Sequence, residues 1–347
     1  MKILLIKTSS LGDIIHTFPA ITDAANAVKS LEITWVVEEN FFDVILLNQN
    51  IKKIIPVAFR RWRKNIFKNI FNGEIKNFIK NIRKEKYDII IDAQGLIKSA
   101  IISKIARGKK IGFAKDALTE PTARFFYHKY CSVSLKEHAI FRMRSIFSYA
   151  LQYTFVKNKI DYGISLKEKN ISSFFAKNNL PITKFIFFAH GTTWPSKKWP
   201  VENWRELATL FTKENFKVFV PQSNKEELID AQKIKDNNSE VYVLPKFSLN
   251  EIAIIISNAV LVVAVDTGLV HLAAALNIPS LSLYGPSDPK KTGTIGKNQL
   301  HIIASENCSP CFKQKCTIKN IAANNSLCLK NITANKVLQT IKINLSI

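Results

Sequence analysis

The strongest constraint on this chain is a pattern that occurs twice. Short runs rich in Ile, Leu, Val and Phe, apolar on both faces, alternate with longer segments of helical period. A strand that is apolar on both faces must be covered on both, and helices between parallel strands supply that cover. Residues 3–6, 33–37, 53–57, 88–91 and 110–112 read as strands of one series. Residues 185–188, 217–220, 240–244, 261–265 and 280–283 read as strands of a second. Two series predict two doubly wound parallel-sheet α/β domains. A chain of 347 residues has the length for both, and a 47% hydrophobic fraction can fill two cores. The polar, lysine-rich stretch 156–169 is the expected linker. The domains are therefore placed at 1–160 and 161–347, with the last helix expected to pack back on the first. Ligands of open α/β sheets lie beyond the carboxyl ends of the strands. That directs attention to the loop after each domain's first strand and to the cleft between the domains.

The charge asks for an explanation. Lys and Arg number 50 against 27 Asp and Glu, a net charge of +23. Anionic company would account for it, and so would compositional drift toward Lys, Asn and Ile. Nucleic acid is not expected, because no reader motif or aromatic-bearing strand accompanies the charge. A dinucleotide oxidoreductase lacks its glycine fingerprint. The apolar run 3–6 is too short for a signal-peptide core and is closed by Lys7. No run reaches the length of a membrane span; the longest, 252–265, is broken by Ser257 and Asn258. A cytoplasmic protein, at most peripheral on a membrane, is expected, with its thiols reduced.

Two loops carry chemistry. Lys7-Thr8-Ser9-Ser10-Leu11-Gly12-Asp13 links a strand to a helix expected near residue 13 or 14. Its small residues let a substrate approach the backbone, and the new helix offers unpaired N–H groups to an anion. Asp13, the only acid of the loop, suits either a helix cap or a general base. In the second half, Val265-Asp266-Thr267-Gly268 runs from a buried strand into a helix expected over 269–276. The N–H groups of Thr267, Gly268 and Leu269 would face a phosphate there, with His271 on the first turn. Asp266 and Thr267 also suit capping. His190-Gly191-Thr192-Thr193 follows the second half's first strand, and Lys197 and Lys198 come next. One lysine at that place would offset the charge of a leaving diphosphate.

The segment Lys7-Thr8-Ser9-Ser10-Leu11-Gly12-Asp13-Ile14-Ile15-His16-Thr17-Phe18-Pro19-Ala20 resembles the opening of the lipopolysaccharide heptosyltransferases of glycosyltransferase family 9. Further blocks extend the likeness along nearly the whole chain. They are Trp35-Val36-Val37-Glu38-Glu39, 55–64, 91–100, Trp199-Pro200, 203–207 and 265–272. The resemblance implies a GT-B fold of two facing Rossmann-like domains, an acceptor domain followed by an ADP-heptose domain. It implies inverting transfer of L-glycero-D-manno-heptose from ADP-heptose to the Kdo of Kdo-lipid A, at the cytoplasmic face of the inner membrane. Asp13 would be the base, with Ser10 and Gly12 on the acceptor side. Thr192, Thr193, Lys197, Glu227, Asp266, Thr267, Gly268 and His271 would line the donor site. Lys197 would meet the diphosphate, and Glu227 the ribose hydroxyls, although Glu226 is adjacent. No cofactor and no catalytic metal are implied. The first-half blocks favour the branch that adds the first heptose; a later-acting heptosyltransferase is the alternative.

Residues 60–86 hold ten basic residues against Glu74 and Glu85. Ile66, Phe67, Ile70 and Phe71 recur at helical spacing, as do Ile75, Phe78, Ile79 and Ile82. The pattern suits a helix packing its stripe inward, or a surface for anionic lipid. Arg60, Arg61, Arg63 and Lys64 match the family's acceptor cluster, and arginine grips carboxylate or phosphate in bidentate fashion. Thr119 stands where the family usually has Arg. Finally, Cys308, Cys311, Cys316 and Cys328 have zinc-like spacing, read either as a structural zinc site or as reduced thiols. This tail is the feature that leans toward a later-acting enzyme.

Overall fold

The computed structural model describes residues 1–64, 73–166, 171–318 and 326–345. It divides into two compact units, Met1–Ser165 and Leu166–Ile347. In the first, β1 (Lys2–Ile6), α1 (Leu11–Ala27), β2 (Glu32–Glu38) and β3 (Ile51–Val57) are followed by α2 (Glu74–Arg83) and β4 (Lys86–Asp92). Then come α3 (Ile97–Ile105), β5 (Arg107–Phe113), β6 (Lys129–Cys131) and α4 (Ala139–Leu151). All strands are parallel, in the order β3-β2-β1-β4-β5-β6.

The second unit repeats the plan. Its elements are β7 (Phe185–Ala189), α5 (Val201–Lys213), β8 (Lys217–Val220), α6 (Lys225–Lys235), β9 (Val241–Val243) and α7 (Leu249–Ile256). They continue with β10 (Leu261–Val265), α8 (Gly268–Ala275), β11 (Ser280–Tyr284), β12 (Gln299–Ile303) and α9 (Ala334–Asn344). The order β12-β11-β10-β7-β8-β9, again parallel, is the first sheet's order with the strands renumbered. In both sheets the order reverses beside the first strand, between β1 and β4 and between β7 and β10. Successive crossovers leave that point in opposite directions, so the loops there part and open a crevice.

The central strands explain why they are legible in the sequence. β7, β10 and β11 are buried at every residue, and β1 at every residue but its first. The two strands missing from the sequence reading, β6 and β12, are edge strands with polar, partly exposed residues. They lack the doubly apolar run because only part of each is covered. The second core is aromatic: Phe185 stacks on Phe219 at 4.1 Å, and Trp204 meets both Phe188 and Trp199 at 4.9 Å. Part of the Trp199–Trp204 block is thus structural, and Trp199 Nε1 and Asn203 Nδ2 both donate to Ile332 O.

The expected linker behaves differently over its described part. Arg144, fully buried on α4, donates to Asp23 Oδ2 at 2.6 Å and to the carbonyls of Val156, Lys157 and Lys159. Asn48 Nδ2 holds Tyr162 O, and Ser165 N holds Leu47 O. The segment is bonded to the first unit, which is why the division falls at Ser165 rather than at 160. Residues 167–169 of that stretch lie outside the described residues. The final helix, α9, lies against α5, with Asn335 bonded to Glu206 and Lys342 paired with Glu214. It packs on its own unit. In α2, Phe78 and Ile82 are buried, with Ile75 and Ile79 packed against the same core. The stripe turns inward and is spent on the domain. Ile66, Phe67, Ile70 and Phe71 lie outside the described residues.

Candidate active site

At the first unit's switch point, β1 ends beneath α1. The helix starts at Leu11, earlier than expected, with Ser10 as N-cap and Asp13 at its third position. Asp13 does both things its residue type allows. Its Oδ2 accepts from Ser10 N at 2.9 Å and Ser10 Oγ at 2.8 Å, a capping contact. Its side chain is still 42% exposed, with Lys7 Nζ 3.6 Å from Oδ1. Lys7 is itself almost wholly buried, and its carbonyl receives the Trp35 indole N–H. A carboxylate held by its own helix, yet open to an incoming hydroxyl, has what a general base needs.

The loop is fixed from β4. Gln94 Oε1 accepts from Thr8 N at 2.9 Å and Ser9 N at 3.1 Å. Gln94 is held in turn by Asp92, whose Oδ1 accepts from Gln94 N and Gly95 N, while Tyr127 OH donates to Oδ2 at 2.7 Å. Burial pushes the Asp92 carboxyl up, and these hydrogen bonds oppose the shift. In the sequence, Asp92 and Gln94 stand out only as part of a longer block. Their position after the strand beside β1 is the signal that gives them a role. Arg142 on α4 is a further cation, with no signal in the sequence. Burial lowers its pKa, and the charge of Asp13 acts against that.

The expected acceptor residues fare unequally. Arg60, Arg61, Arg63 and Lys64 are all exposed at the end of β3. Arg60 N donates to the buried Glu38, and its guanidinium lies 5.4 Å from the Phe41 ring. Arg61 is already committed to two acids, Glu39 and Glu74. It can greet an anion only by releasing them, so Arg60, Arg63 and Lys64 are the better receptors.

At the second unit's switch point the expected donor residues converge. Asp266, buried after β10, receives Lys197 Nζ at 2.6 Å and Ser287 Oγ at 2.6 Å on Oδ2. His271 Nε2 stands 3.9 Å from Oδ1, and Thr192 Oγ1 donates to the Asp266 carbonyl at 3.5 Å. Ser287, from the turn after β11, joins the cluster without any motif to announce it. Thr267 is the N-cap of α8, and its side chain makes no capping bond, which leaves the helix N–H groups of Gly268 and Leu269 unclaimed by it. Thr193, in the loop after β7, is exposed.

Two adjacent pairs are resolved here. The turn Pro195–Lys197 is a single 3-10 turn, so consecutive side chains diverge. Lys197 faces Asp266 and lies 4.5 Å from the Trp194 ring, whereas Lys198 pairs with Glu226 and Asp230 on α6. Of the two acids, Glu227 faces the loop after β7. A Cβ on Gly191 would fall 2.6 Å from its Oε1, and its Oε2 holds Ser223 N and Oγ. His190 is buried against the Glu227 carbonyl, and burial pulls its pKa down.

The cysteine tail is remote in sequence but not in space. Ser196 N and Oγ donate to the carbonyls of Gln314 and Lys313, Phe312 N to Pro286 O, and Ser309 Oγ to Gly285 O. The segment therefore braces the turns that carry Lys197 and Ser287. It does not assemble the zinc arrangement. Among the described residues no three His, Cys, Asp or Glu side chains converge as metal ligands. Cys308 is exposed, while Cys328 is buried against Gly285 with its thiol turned to Ser326.

Two parallel sheets of the same strand order, each with polar side chains gathered at its switch point, make this a GT-B protein. The model of glycosyltransferase family 9 (heptosyltransferase) matches residues 75–322. Lipopolysaccharide heptosyltransferase 1 of Pseudomonas aeruginosa is 40% identical over 318 residues, 91% of this chain and 88% of that protein. The structure of the Escherichia coli heptosyltransferase WaaC with ADP has a TM-score of 0.85 and 36% identity, covering 99% of this chain and 100% of that one. The same enzyme with ADP-2-deoxy-2-fluoro heptose gives 0.82 over the same coverage. The chain belongs to glycosyltransferase family 9, the heptosyltransferases.

Proposed function

We propose that this chain transfers L-glycero-D-manno-heptose from ADP-heptose to the Kdo of Kdo-lipid A, the first heptose of the lipopolysaccharide inner core. The observation that carries this is the chain-long likeness to a lipopolysaccharide heptosyltransferase 1. The donor-side cluster around Asp266 and Lys197 supports it. The later-acting alternative rests on the cysteine tail, which here braces the donor-side turns.

The reaction is a single displacement. Asp13 takes the proton of an acceptor hydroxyl, whose oxygen bonds to the anomeric carbon as the carbon–oxygen bond to ADP breaks on the opposite face. The configuration inverts, and the electron pair leaves with the diphosphate. Lys197 then exchanges Asp266 for the diphosphate, aided by the N–H groups at the start of α8. Positive charge is thereby supplied at the leaving group by the protein itself, so the step as written calls for no metal and no cofactor. Glu227 would take the ribose hydroxyls, and His271 would line the donor site. Arg60, Arg63 and Lys64 would receive the carboxylate and phosphates of the acceptor.

The cytoplasmic leaflet of the inner membrane is where such an acceptor would be met. Among the described residues no helix is long and apolar enough to cross a membrane, and peripheral attachment is the form proposed. The test is transfer from ADP-heptose to Kdo-lipid A and, in parallel, to Kdo-lipid A already carrying heptose. Product with the first acceptor is expected. Product with the second alone would transfer the assignment to a later step.

A further inference from the structure

One exposed face of the first unit is apolar and basic, and the acceptor-side cations adjoin it. Helix α3 buries Ser99, Ala100, Ile102 and Ser103. Its outer face shows Ile97, Lys98, Ile101 and Lys104, spaced to share one side of the helix. Ile97 and Ile101 are 41% and 47% exposed. The 3-10 turn Pro121–Phe126 packs beside this helix and presents Phe125 at 74% exposure, with the Arg124 guanidinium 5.1 Å from its ring. Lys104 Nζ lies 5.7 Å from the Phe126 ring and ties the two elements together. The bordering acid, Glu120, is engaged by the Ile97 N–H at 2.7 Å.

A phenylalanine and two isoleucines exposed on two elements that pack together, with cations on the same elements, are costly in water and need a reason. We propose that this face, α3 with the turn Pro121–Phe126, docks the protein on an anionic phospholipid bilayer. Phe125, Ile97 and Ile101 enter the boundary between headgroups and acyl chains. Lys98, Lys104 and Arg124 meet the anionic headgroups, their stems lying along the apolar side chains. The charge complementarity selects a lipid surface as the occupant, since three cations share these two elements with the apolar groups and the bordering Glu120 accepts from the Ile97 N–H. Position supports the same choice. Lys98 Nζ lies 5.8 Å from the ring of Phe59, the residue before Arg60. A protein docked here would hold Arg60, Arg63 and Lys64 close to the headgroup level, where the sugar of a lipid-anchored acceptor emerges. This deepens the proposed function and rests on it for the acceptor alone. The inward packing of the α2 stripe makes α3 the better site than α2.

Vesicle co-sedimentation of the full chain tests it, using phosphatidylglycerol–phosphatidylethanolamine vesicles against phosphatidylcholine vesicles. Wild-type protein is expected on the anionic vesicles and released by salt. The double variant Ile101→Glu/Phe125→Glu should bind them at least about tenfold less, and the triple variant Lys98→Gln/Lys104→Gln/Arg124→Gln similarly. All are surface changes, so thermal midpoints should stay near wild type. Turnover on a water-soluble, deacylated acceptor should be retained, while turnover on vesicle-embedded acceptor falls with binding. Undiminished vesicle binding by the double variant would overturn the proposal, as would a wild-type protein that ignores anionic vesicles. So would a wild-type dimer that the double variant dissolves without any vesicle effect, which would assign the face to self-association. If vesicle binding follows the proposal but neither acceptor receives heptose, the transferase reading fails and the docking surface stands.

Discussion

Replacing Gln94 by Ala removes a side-chain oxygen that ties the loop after β1 to the strand beside it. Two backbone donors lose their acceptor, Thr8 N at 2.9 Å and Ser9 N at 3.1 Å. Thr8 is fully buried, so no water replaces the lost partner, and that N–H alone should cost about 1–3 kcal/mol. Ser9 is half-buried and recovers solvent, for a loss of about 1 kcal/mol. The sum is about 2–4 kcal/mol, large against a total of about 5–15 kcal/mol. Activity should fall as well, because Ser10, the next residue, holds Asp13. A displacement of about 1 Å at a catalytic group costs on the order of 100-fold in rate. Gln94→Glu keeps an acceptor oxygen in place and should restore much of both losses. Urea unfolding measures the first quantity, read from Trp35, whose indole donates to the Lys7 carbonyl at the head of this loop. Steady-state kcat with ADP-heptose measures the second. An Ala variant that unfolds within about 0.5 kcal/mol of wild type and turns over normally would refute the reasoning.

Asp13→Asn keeps a capping acceptor for Ser10 but loses the base. Turnover should drop about 100- to 10,000-fold with the thermal midpoint nearly unchanged, and near-normal turnover would remove Asp13 from the reaction. Lys197→Ala should lower kcat by about 100-fold, whereas Lys198→Ala, which breaks the ion pairs to Glu226 and Asp230, should change it about twofold or less. Equal effects in a kinetic comparison would contradict the division of the pair. His190 is held neutral by burial, its folded pKa below the ordinary value near 6.5. The unfolded chain then binds the extra proton first, so stability is full above about 6.5 and declines as pH falls below it. His190→Gln should flatten that decline in urea midpoints taken between about pH 7 and 5, and an unchanged slope would show that another group causes it.

Much of this protein is written locally. The doubly apolar runs announce β1, β4, β7 and β10, because strands at the centre of a covered sheet cannot alternate in polarity. The loops after them follow from the rule that crevices open at the strand ends. Asp13 and Asp266 therefore stand out by their place in those loops, whereas Lys197 is told from Lys198 in the sequence only by the family resemblance. β6 and β12 escape notice because an edge strand, covered in part, carries no such run. Gln94 and Ser287 escape it because an amide or a hydroxyl in a loop has no pattern of its own; each is defined by the partner it meets.

The sequence alone determined two parallel-sheet domains, the loops at their switch points and the family of the chain, since each of these depends on the order and polarity of neighbouring residues. The tertiary structure decided which side chains are available. It gave Lys197 to Asp266 and Lys198 to α6, and turned Glu227 rather than Glu226 toward Gly191. It committed Arg61 to Glu39 and Glu74, spent the α2 stripe on the core and laid the cysteine tail against the donor turns. It left Ile97, Ile101 and Phe125 in the open. These are choices of partner between residues far apart in the chain, and a local pattern records the capacity of a side chain to bond or to bury without recording what folding brings against it.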